Sequence, residues 1–197
     1  MNLVQKIKTP AKAQLWLHSL AYNKADTMYG LRGVLRRKKA HCLEAVLAVA
    51  TLHEPHGYPP LILDLESADN LDHTLFLYTE NGKFGTVAMS RDIGLDGRKP
   101  VFKTIHALVQ SYVIPYIDAK ADITAYGILD LRTLENQSWR TSAKQLWYIE
   151  DALLELPHTP LQTPRATLKK WRKKFIDYKK QFPDLQPDYF PHQETWL

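Results

Sequence analysis

The stretch from residue 42 to residue 53 constrains the fold more than any other, because almost every residue in it is apolar and the apolar spacing is helical. Leu43, Val46, Leu47 and Ala50 follow the pattern of one helix face, and further alanines and valines widen that face. A helix that is apolar over so much of its circumference is buried on most of its sides. The sequence therefore predicts a central helix around which the remaining elements pack.

A β-hairpin is predicted soon after this helix. One glycine and two prolines within residues 57–60 end the helix, and residues 61–65 have the composition of a first strand. Residues 73–79 and 84–90 predict two further strands, joined at Asn81-Gly82, the dipeptide most typical of a two-residue hairpin turn. We therefore expect a small antiparallel sheet with one face packed on the central helix.

Helices flank the predicted sheet, so the fold class is α+β. Apolar residues at helical spacing predict helices over residues 12–22, 31–35, 100–117, 141–156 and 166–182. Residues 121–134 are predicted as short strands or loop, and residues 183–197, with three prolines, as irregular. We expect residues 1–160 to form the main domain, and the basic C-terminal helix and tail, residues 161–197, to pack on that same domain.

The composition is that of a soluble domain in a reducing compartment. A chain of 197 residues with one cysteine cannot form an internal disulfide or a zinc site built from several thiolates. A free thiol favours the cytoplasm. The N-terminal residues lack the apolar core of a signal peptide, and no apolar run approaches the roughly 18 residues that a membrane span needs.

Cys42, the only cysteine, stands at the predicted start of the central helix. Cysteine reacts as its thiolate, and the free amides at a helix start lower the pKa of a thiol. His73, at the start of the second predicted strand, can supply an imidazolium with the same effect. The hairpin places Ser90, with Asp92 just beyond, level with His73 on the returning strand, where a polar group can orient the imidazole. This order predicts a cysteine nucleophile site.

A structural role is the alternative for each of these residues. A cysteine in a helix is commonly a small buried hydrophobe. His41 stands beside Cys42, but neighbouring residues diverge around a helix, so we expect at most a supporting role for it. His53 and His56 precede a glycine and two prolines and have no carboxylate or thiolate at ligand spacing. We therefore predict no metal site and no cofactor.

A set of short segments follows in order over most of residues 13–160. They are Tyr22-Asn23, Leu31-Arg32-Gly33-Val34-Leu35-Arg36, Ala40-His41-Cys42-Leu43-Glu44-Ala45, Gly57-Tyr58-Pro59-Pro60-Leu61, Asp72-His73-Thr74-Leu75-Phe76, Gly82-Lys83-Phe84-Gly85, Ser90-Arg91, Arg98-Lys99-Pro100-Val101-Phe102, Leu108-Val109-Gln110-Ser111-Tyr112, Trp147-Tyr148-Ile149 and Pro157-His158-Thr159-Pro160. Together they resemble a bacterial family of the transglutaminase-like (papain-like cysteine peptidase) superfamily.

The resemblance implies a helix-borne cysteine, a strand-borne histidine and a third polar residue used for acyl transfer. In that pattern Cys42 matches the nucleophile and His73 the base. Members of the superfamily usually have aspartate in the third place, reached through a Gly-x-Trp step. Here the step is Gly82-Lys83-Phe84, Ser90 is the nearest polar match, and Asp92 is the nearest acid.

The reaction implied is hydrolysis of an amide, peptide or ester bond, or acyl transfer from it, with a protein, peptide or small amide as substrate. The Cys42 backbone amide and one donor from the upstream loop would hold the oxyanion. Tyr22 and Asn23 are the candidates for that second donor.

Two other functions fit the sequence. The missing third-place aspartate favours a catalytically inactive transglutaminase-like binding module. The C-terminal helix, with Trp171 and Phe175 on one stripe and lysines around it, favours a surface for acidic partners or nucleic acid. The structural alternative for this helix docks its aromatic stripe on the core and leaves its lysines in water.

Overall fold

An antiparallel sheet of six strands lies at the centre of the computed structural model, which describes residues 3–197. The helices are α1 (Leu3–Lys6), α2 (Pro10–His18), α3 (Leu31–Arg37), α4 (Cys42–His53), α5 (Ile105–Tyr116), α6 (Tyr148–Leu154) and α7 (Arg165–Gln181). The strands are β1 (Ala21–Tyr22), β2 (Lys39–Ala40), β3 (Leu61–Ser67), β4 (His73–Glu80), β5 (Lys83–Val87), β6 (Arg98–Phe102), β7 (Ile123–Asp130) and β8 (Thr159–Pro160). The order across the main sheet is β6-β5-β4-β3-β7-β8. The predicted α+β class is confirmed.

Helices cover both faces of the main sheet. One face packs on α4, whose apolar residues form a core with Ile62, Phe76 and Val87 of the sheet. The opposite face packs on α5 through Leu63, Leu75 and other alternate strand residues. Side chains of a strand alternate between its two faces, so each strand contributes to both cores. The predicted central helix is confirmed, with the predicted bounds.

The hairpin between β4 and β5 has the predicted turn. Asn81 and Gly82 have φ angles of +51° and +71°, as a two-residue type I′ turn requires. Glu80 pairs with Lys83 directly across this turn. The register brings His73 to the far end of β4, level with the loop that follows β5.

Two predicted helices are wrong at their N-terminal ends. Residues 98–102 pair with β5 as an edge strand, where a proline is tolerated. Helix α5 begins later, at Ile105, and its N-cap is Thr104, whose hydroxyl accepts a hydrogen bond from the Ala107 amide (3.1 Å). Residues 141–147 are not helical either, since the Leu146 amide donates to the Met28 carbonyl (2.7 Å). Residues 121–134, predicted as strands or loop, contain the long strand β7.

The C-terminal helix α7 and its tail pack on the α5 side of the sheet. Leu168 and Trp171 contact that core, and Arg172 forms an ion pair with Asp122. The tail returns to the sheet edge, where the Leu197 amide donates to the Gly97 carbonyl (3.1 Å). None of the helices within residues 3–197 has the length and apolarity that crossing a membrane requires.

Candidate active site

Cys42 is the first residue of α4. It is partly buried and lines a cavity between α4, the sheet and the tail. Burial alone raises the pKa of the Cys42 thiol, but hydrogen bonds from the rings of His41 and His73 outweigh it. The pKa of Cys42 therefore lies well below its ordinary value. The structure thus brings together the two residues that we predicted as nucleophile and base.

His73 is fixed by a backbone carbonyl. Its Nε2 donates to the Leu95 carbonyl (2.8 Å), which leaves Nδ1 for the Cys42 sulfur. Burial lowers the pKa of His73, but the hydrogen bond and charge of Cys42 and the Leu95 carbonyl raise it more, so the pKa lies above its ordinary value. The group that orients the imidazole is therefore a main-chain oxygen, in the place where we predicted a side chain.

Ser90 and Asp92 line the same cavity. The Ser90 hydroxyl accepts from the Asp92 amide (3.0 Å), and the Asp92 carboxylate accepts from Arg91 (3.3 Å) and Gln186 (3.3 Å). These contacts shape the loop beside His73. A catalytic role for either side chain stays a prediction.

The buried guanidinium of Arg98 forms hydrogen bonds with the backbone of the loop at residues 94–97. Arg98 donates to the carbonyls of Gly94 (2.6 Å) and Asp96 (2.9 Å), the residues on either side of Leu95. The Asp96 carboxylate accepts from the Ser90 amide (3.0 Å), and its charge helps to raise the pKa of His73. Leu95 is thus fixed on both sides, with its own carbonyl turned to the histidine.

His41 is a second imidazole at the thiol. Its Nε2 donates to the Thr27 carbonyl (2.5 Å), and the ring also interacts with the Cys42 thiol. Burial lowers the pKa of His41, whereas the hydrogen bond and charge of Cys42 raise it more, and the net direction is upward. The N-cap residue of α4 has an extended backbone (φ −95°, ψ −177°), which turns its ring back toward the first turn. Our expectation from helical spacing overlooked this, because the N-cap lies outside the helix.

Of the two oxyanion candidates, Tyr22 lies beside the first turn of α4. Strand β1 pairs with β2 in parallel, with Tyr22 opposite Ala40. Burial raises the pKa of Tyr22 to about 12, the charge of Cys42 raises it too, and a hydrogen bond with the Cys42 backbone opposes them. At neutral pH the phenol therefore keeps its proton, and its oxygen accepts from the Cys42 amide.

Asn23 belongs to a different group of contacts. Its amide nitrogen donates to the Thr27 hydroxyl (2.8 Å) and to the Glu44 carboxylate (2.8 Å). Both amide protons are therefore directed into the protein interior, away from the thiol. The structure favours Tyr22 over Asn23 as the donor for an oxyanion.

The buried carboxylate of Glu44 fixes the whole surroundings of the thiol. It accepts hydrogen bonds from both preceding loops and from α3, and the donors are Asn23, Thr27, Tyr29, Arg37 and His41. The Arg37 bond is an ion pair of 2.8 Å to a carboxylate with no exposed surface. Because Glu44 lies on the first turn of α4, these bonds join the loop after β1 and helix α3 to the start of the helix that carries Cys42.

The cavity in front of the thiol has a volume of about 640 Å³. That volume is within the range of sites for small molecules or for one or two residues of a peptide. Its walls come from the 64–74 strands and loop, the 90–95 loop, the end of α5 and the C-terminal segment. Cys42, His41 and His73 all line it.

Asp64, which lies on the wall of this cavity, forms a second polar pair with the buried side chain of His158. The Asp64 carboxylate lies 3.0 Å from His158 Nε2, while His158 Nδ1 lies 2.7 Å from the Leu156 carbonyl. Burial raises the pKa of Asp64 to about 6, against the opposing effect of the His158 hydrogen bond, and the charge of Cys42 adds to the rise. Sequence reasoning missed this pair, although one acid inside the apolar run 61–65 was a signal that it needed a buried partner.

Neither a protein-family model nor a curated protein matches the chain. Within residues 3–197, the structure assembles no group of three or more histidine, cysteine or acidic side chains that could hold a metal ion. What the arrangement can do chemically therefore rests on its own geometry.

Proposed function

We propose that the protein is a cysteine-dependent enzyme that hydrolyses an amide, peptide or ester bond or transfers its acyl group. The observation that supports this is the contact between Cys42 and His73, whose second ring nitrogen is fixed by the Leu95 carbonyl. A thiol whose pKa lies well below its ordinary value is a nucleophile at neutral pH. Cysteine before histidine, on a helix start and a strand start, also agrees with the transglutaminase-like resemblance, which we propose as the origin of the fold.

In the proposed reaction the Cys42 thiolate attacks the substrate carbonyl, and the oxyanion accepts hydrogen bonds from the Cys42 amide and the Tyr22 hydroxyl. The tetrahedral intermediate collapses when the His73 imidazolium protonates the leaving group. His73, now neutral, removes a proton from water or an amine, which attacks the thioester and regenerates the thiol. The backbone carbonyl of Leu95 keeps the same His73 nitrogen protonated throughout.

An acyl-labelling experiment tests the proposal. The protein is incubated with an activated aryl ester, and the acyl adduct is located by mass spectrometry of the intact chain and its peptides. We expect one adduct, on Cys42, absent in Cys42→Ala and slowed at least about a hundredfold in His73→Gln, because a general base contributes a factor of that order. His106→Gln, an exposed histidine on α5, is the matched control.

Folding of each variant is checked by thermal unfolding, so that a lost adduct reports chemistry. Equal labelling of the wild type and a folded His73→Gln variant would contradict the proposal. In that case the fold without acyl-transfer chemistry, the binding-module alternative, becomes the better description.

A further inference from the structure

The cavity in front of Cys42 has the opposite charge to the chain as a whole. The chain has a formal net charge of +5, but acidic side chains outnumber lysine and arginine by seven to two on the cavity surface. A cleft lined by one sign of charge with low-dielectric walls concentrates ligands of the other sign. The excess of acidic over basic side chains therefore distinguishes the cavity from the rest of this basic protein.

The two basic residues of the cavity have partners of their own. Arg91 forms an ion pair with Asp92 (3.3 Å). Lys179 donates to the carbonyls of Pro183 (2.7 Å) and Leu185 (3.1 Å) in the C-terminal tail. Apart from the rings of His41 and His73, carboxylates therefore make up most of the charge on the cavity surface.

A buried hydroxyl without a partner lies on the same wall. Thr74 is 5% exposed and lines the cavity, and its Oγ1 has no hydrogen-bond partner within residues 3–197. Leaving a buried hydroxyl unpaired costs free energy, which a ligand bonded to it would recover. Thr74 is paired across the sheet with Asp64, so the two side chains stand next to each other on the face that packs on α4.

The two oxygens of the Asp64 carboxylate differ in their contacts. His158 contacts only Oδ2 (3.0 Å), so Oδ1 is left for a ligand. The His158 ring reaches Asp64 by lying over Gly127, where a Cβ atom would come within 3.0 Å of that ring. The strand glycine thus leaves room for the buried pair of Asp64 and His158.

We propose that the Cys42 cavity binds a substrate with a positively charged nitrogen group, which donates to Asp64 Oδ1 and to Thr74 Oγ1. This names the substrate class of the same site and rests on the proposed function for its catalytic meaning, but the binding preference can be tested without catalysis. The carboxylates of the surrounding wall attract the cation, and the Asp64–Thr74 pair fixes its position.

The test uses three methanethiosulfonates of similar size, with a 2-aminoethyl (cationic), 2-hydroxyethyl (neutral) or 2-sulfonatoethyl (anionic) group. The Cys42 thiolate attacks the reagent's sulfur–sulfur bond, forms a mixed disulfide and releases a sulfinate. Cys42 is the only cysteine, so every adduct reports on this cavity. Each rate constant is divided by the rate constant of the same reagent with free 2-mercaptoethanol. The normalised rate for the cationic reagent is then divided by that for the neutral reagent. Both reagents react with the same thiolate, so a change in the thiolate fraction cancels in this ratio.

We expect the wild-type ratio to favour the cation by about tenfold, the effect of one unit charge several ångströms away in a partly buried site. Asp64→Asn should remove most of this preference, and Thr74→Val should reduce it about threefold, the scale of one hydrogen bond. Glu135→Gln, an exposed acid outside the cavity, is the matched control and should leave the ratio unchanged.

A wild-type ratio near one, a preference for the anion, or a thiol that none of the three reagents modifies would overturn the inference. So would an Asp64→Asn variant with the full wild-type preference. Failure of acyl labelling with the cation preference intact would reject the enzyme but keep the cationic ligand. Acyl labelling without the preference would do the reverse.

Discussion

The start of α4 and the basic helix α7 both contain many charged and polar residues, but these residues differ in burial and in their hydrogen-bond partners. At α4 the Glu44 side chain has no exposed surface and accepts from five residues. On α7 the Lys173–Asp177 pair (2.5 Å) has side chains that are 77% and 51% exposed. The charged pair at α4 is buried and has several further partners, whereas the charged pair on α7 is exposed to solvent.

This difference indicates which region gives up folding stability in order to position functional groups. Burying a charge is costly unless several hydrogen bonds compensate it, so a buried network is retained for what it positions. Exposed lysines cost little and stabilise little. Several basic residues of α7 also have partners within the chain: Arg172 pairs with Asp122, and Lys174 lies over the rings of Trp171 and Tyr189. The α4 region is therefore the better candidate for chemistry.

The largest effect should come from removing the charge at the centre of the α4 network. Glu44→Gln leaves the Arg37 guanidinium without its counterion and presents a donor where five donors converge. We expect a loss of about 3–5 kcal/mol in the free energy of unfolding, the scale for breaking a buried pair. Urea denaturation measures it, with Glu155→Gln as the exposed control. A loss below about 1 kcal/mol would erase the contrast with α7.

The next effect concerns the thiol itself. The pKa of Cys42 lies well below its ordinary value, so alkylation by iodoacetamide should already be fast at pH 6 and should change little toward pH 9. His73→Gln removes one of the two imidazoles, and we expect the apparent pKa to rise and the rate at pH 6 to fall about a hundredfold. His106→Gln should match the wild type. An unchanged pH profile in His73→Gln would mean that His41 alone lowers the pKa.

Whether the sequence predicts a residue of this site depends on whether that residue acts through its side chain or through its backbone. Cys42 and His73 have side chains of a recognisable type on elements with clear periodicity, so their meeting was predictable. The acceptor at Leu95 is a backbone carbonyl, and no residue type marks a carbonyl. Asp96 acts on His73 from a loop whose path is set by Arg98, a contact that no local pattern reveals.

The same reasoning explains where the predicted elements were wrong. Pro100 suits the first turn of a helix, but the chain uses it in an edge strand because Arg98 is buried there against Tyr112 (4.0 Å from its ring centroid). Residues 141–147 have helical spacing but bond to the loop at Met28. In both cases a contact distant in sequence overrode a local preference. The bounds of helix α4 were predicted correctly, because its apolar residues follow the helical period throughout.

A smaller effect should follow from Asp64, whose pKa is raised to about 6 from an ordinary value of 3.8. A carboxyl that binds its proton more tightly in the folded chain favours folding as the pH falls from about 6 toward 4, and disfavours it above that window. Asp64→Asn should therefore raise the free energy of unfolding by about 3 kcal/mol at pH 7 and leave it nearly unchanged at pH 4. Thermal unfolding at the two pH values measures this. Lower stability at pH 7 would show that the His158 contact outweighs the cost of burial.

The smallest effect should come from α7. Replacing Lys169, Lys170 and Lys173 together by glutamine removes three exposed charges from the helix, since all three side chains lie in solvent. We expect the free energy of unfolding to change by less than about 0.5 kcal/mol and the alkylation profile of Cys42 to stay the same, because exposed pairs are screened by water and salt. Retention on heparin at low salt should fall if this surface binds acidic partners. A loss of stability above about 1 kcal/mol would contradict the contrast, because it would make the lysines of α7 structural residues like those around Glu44.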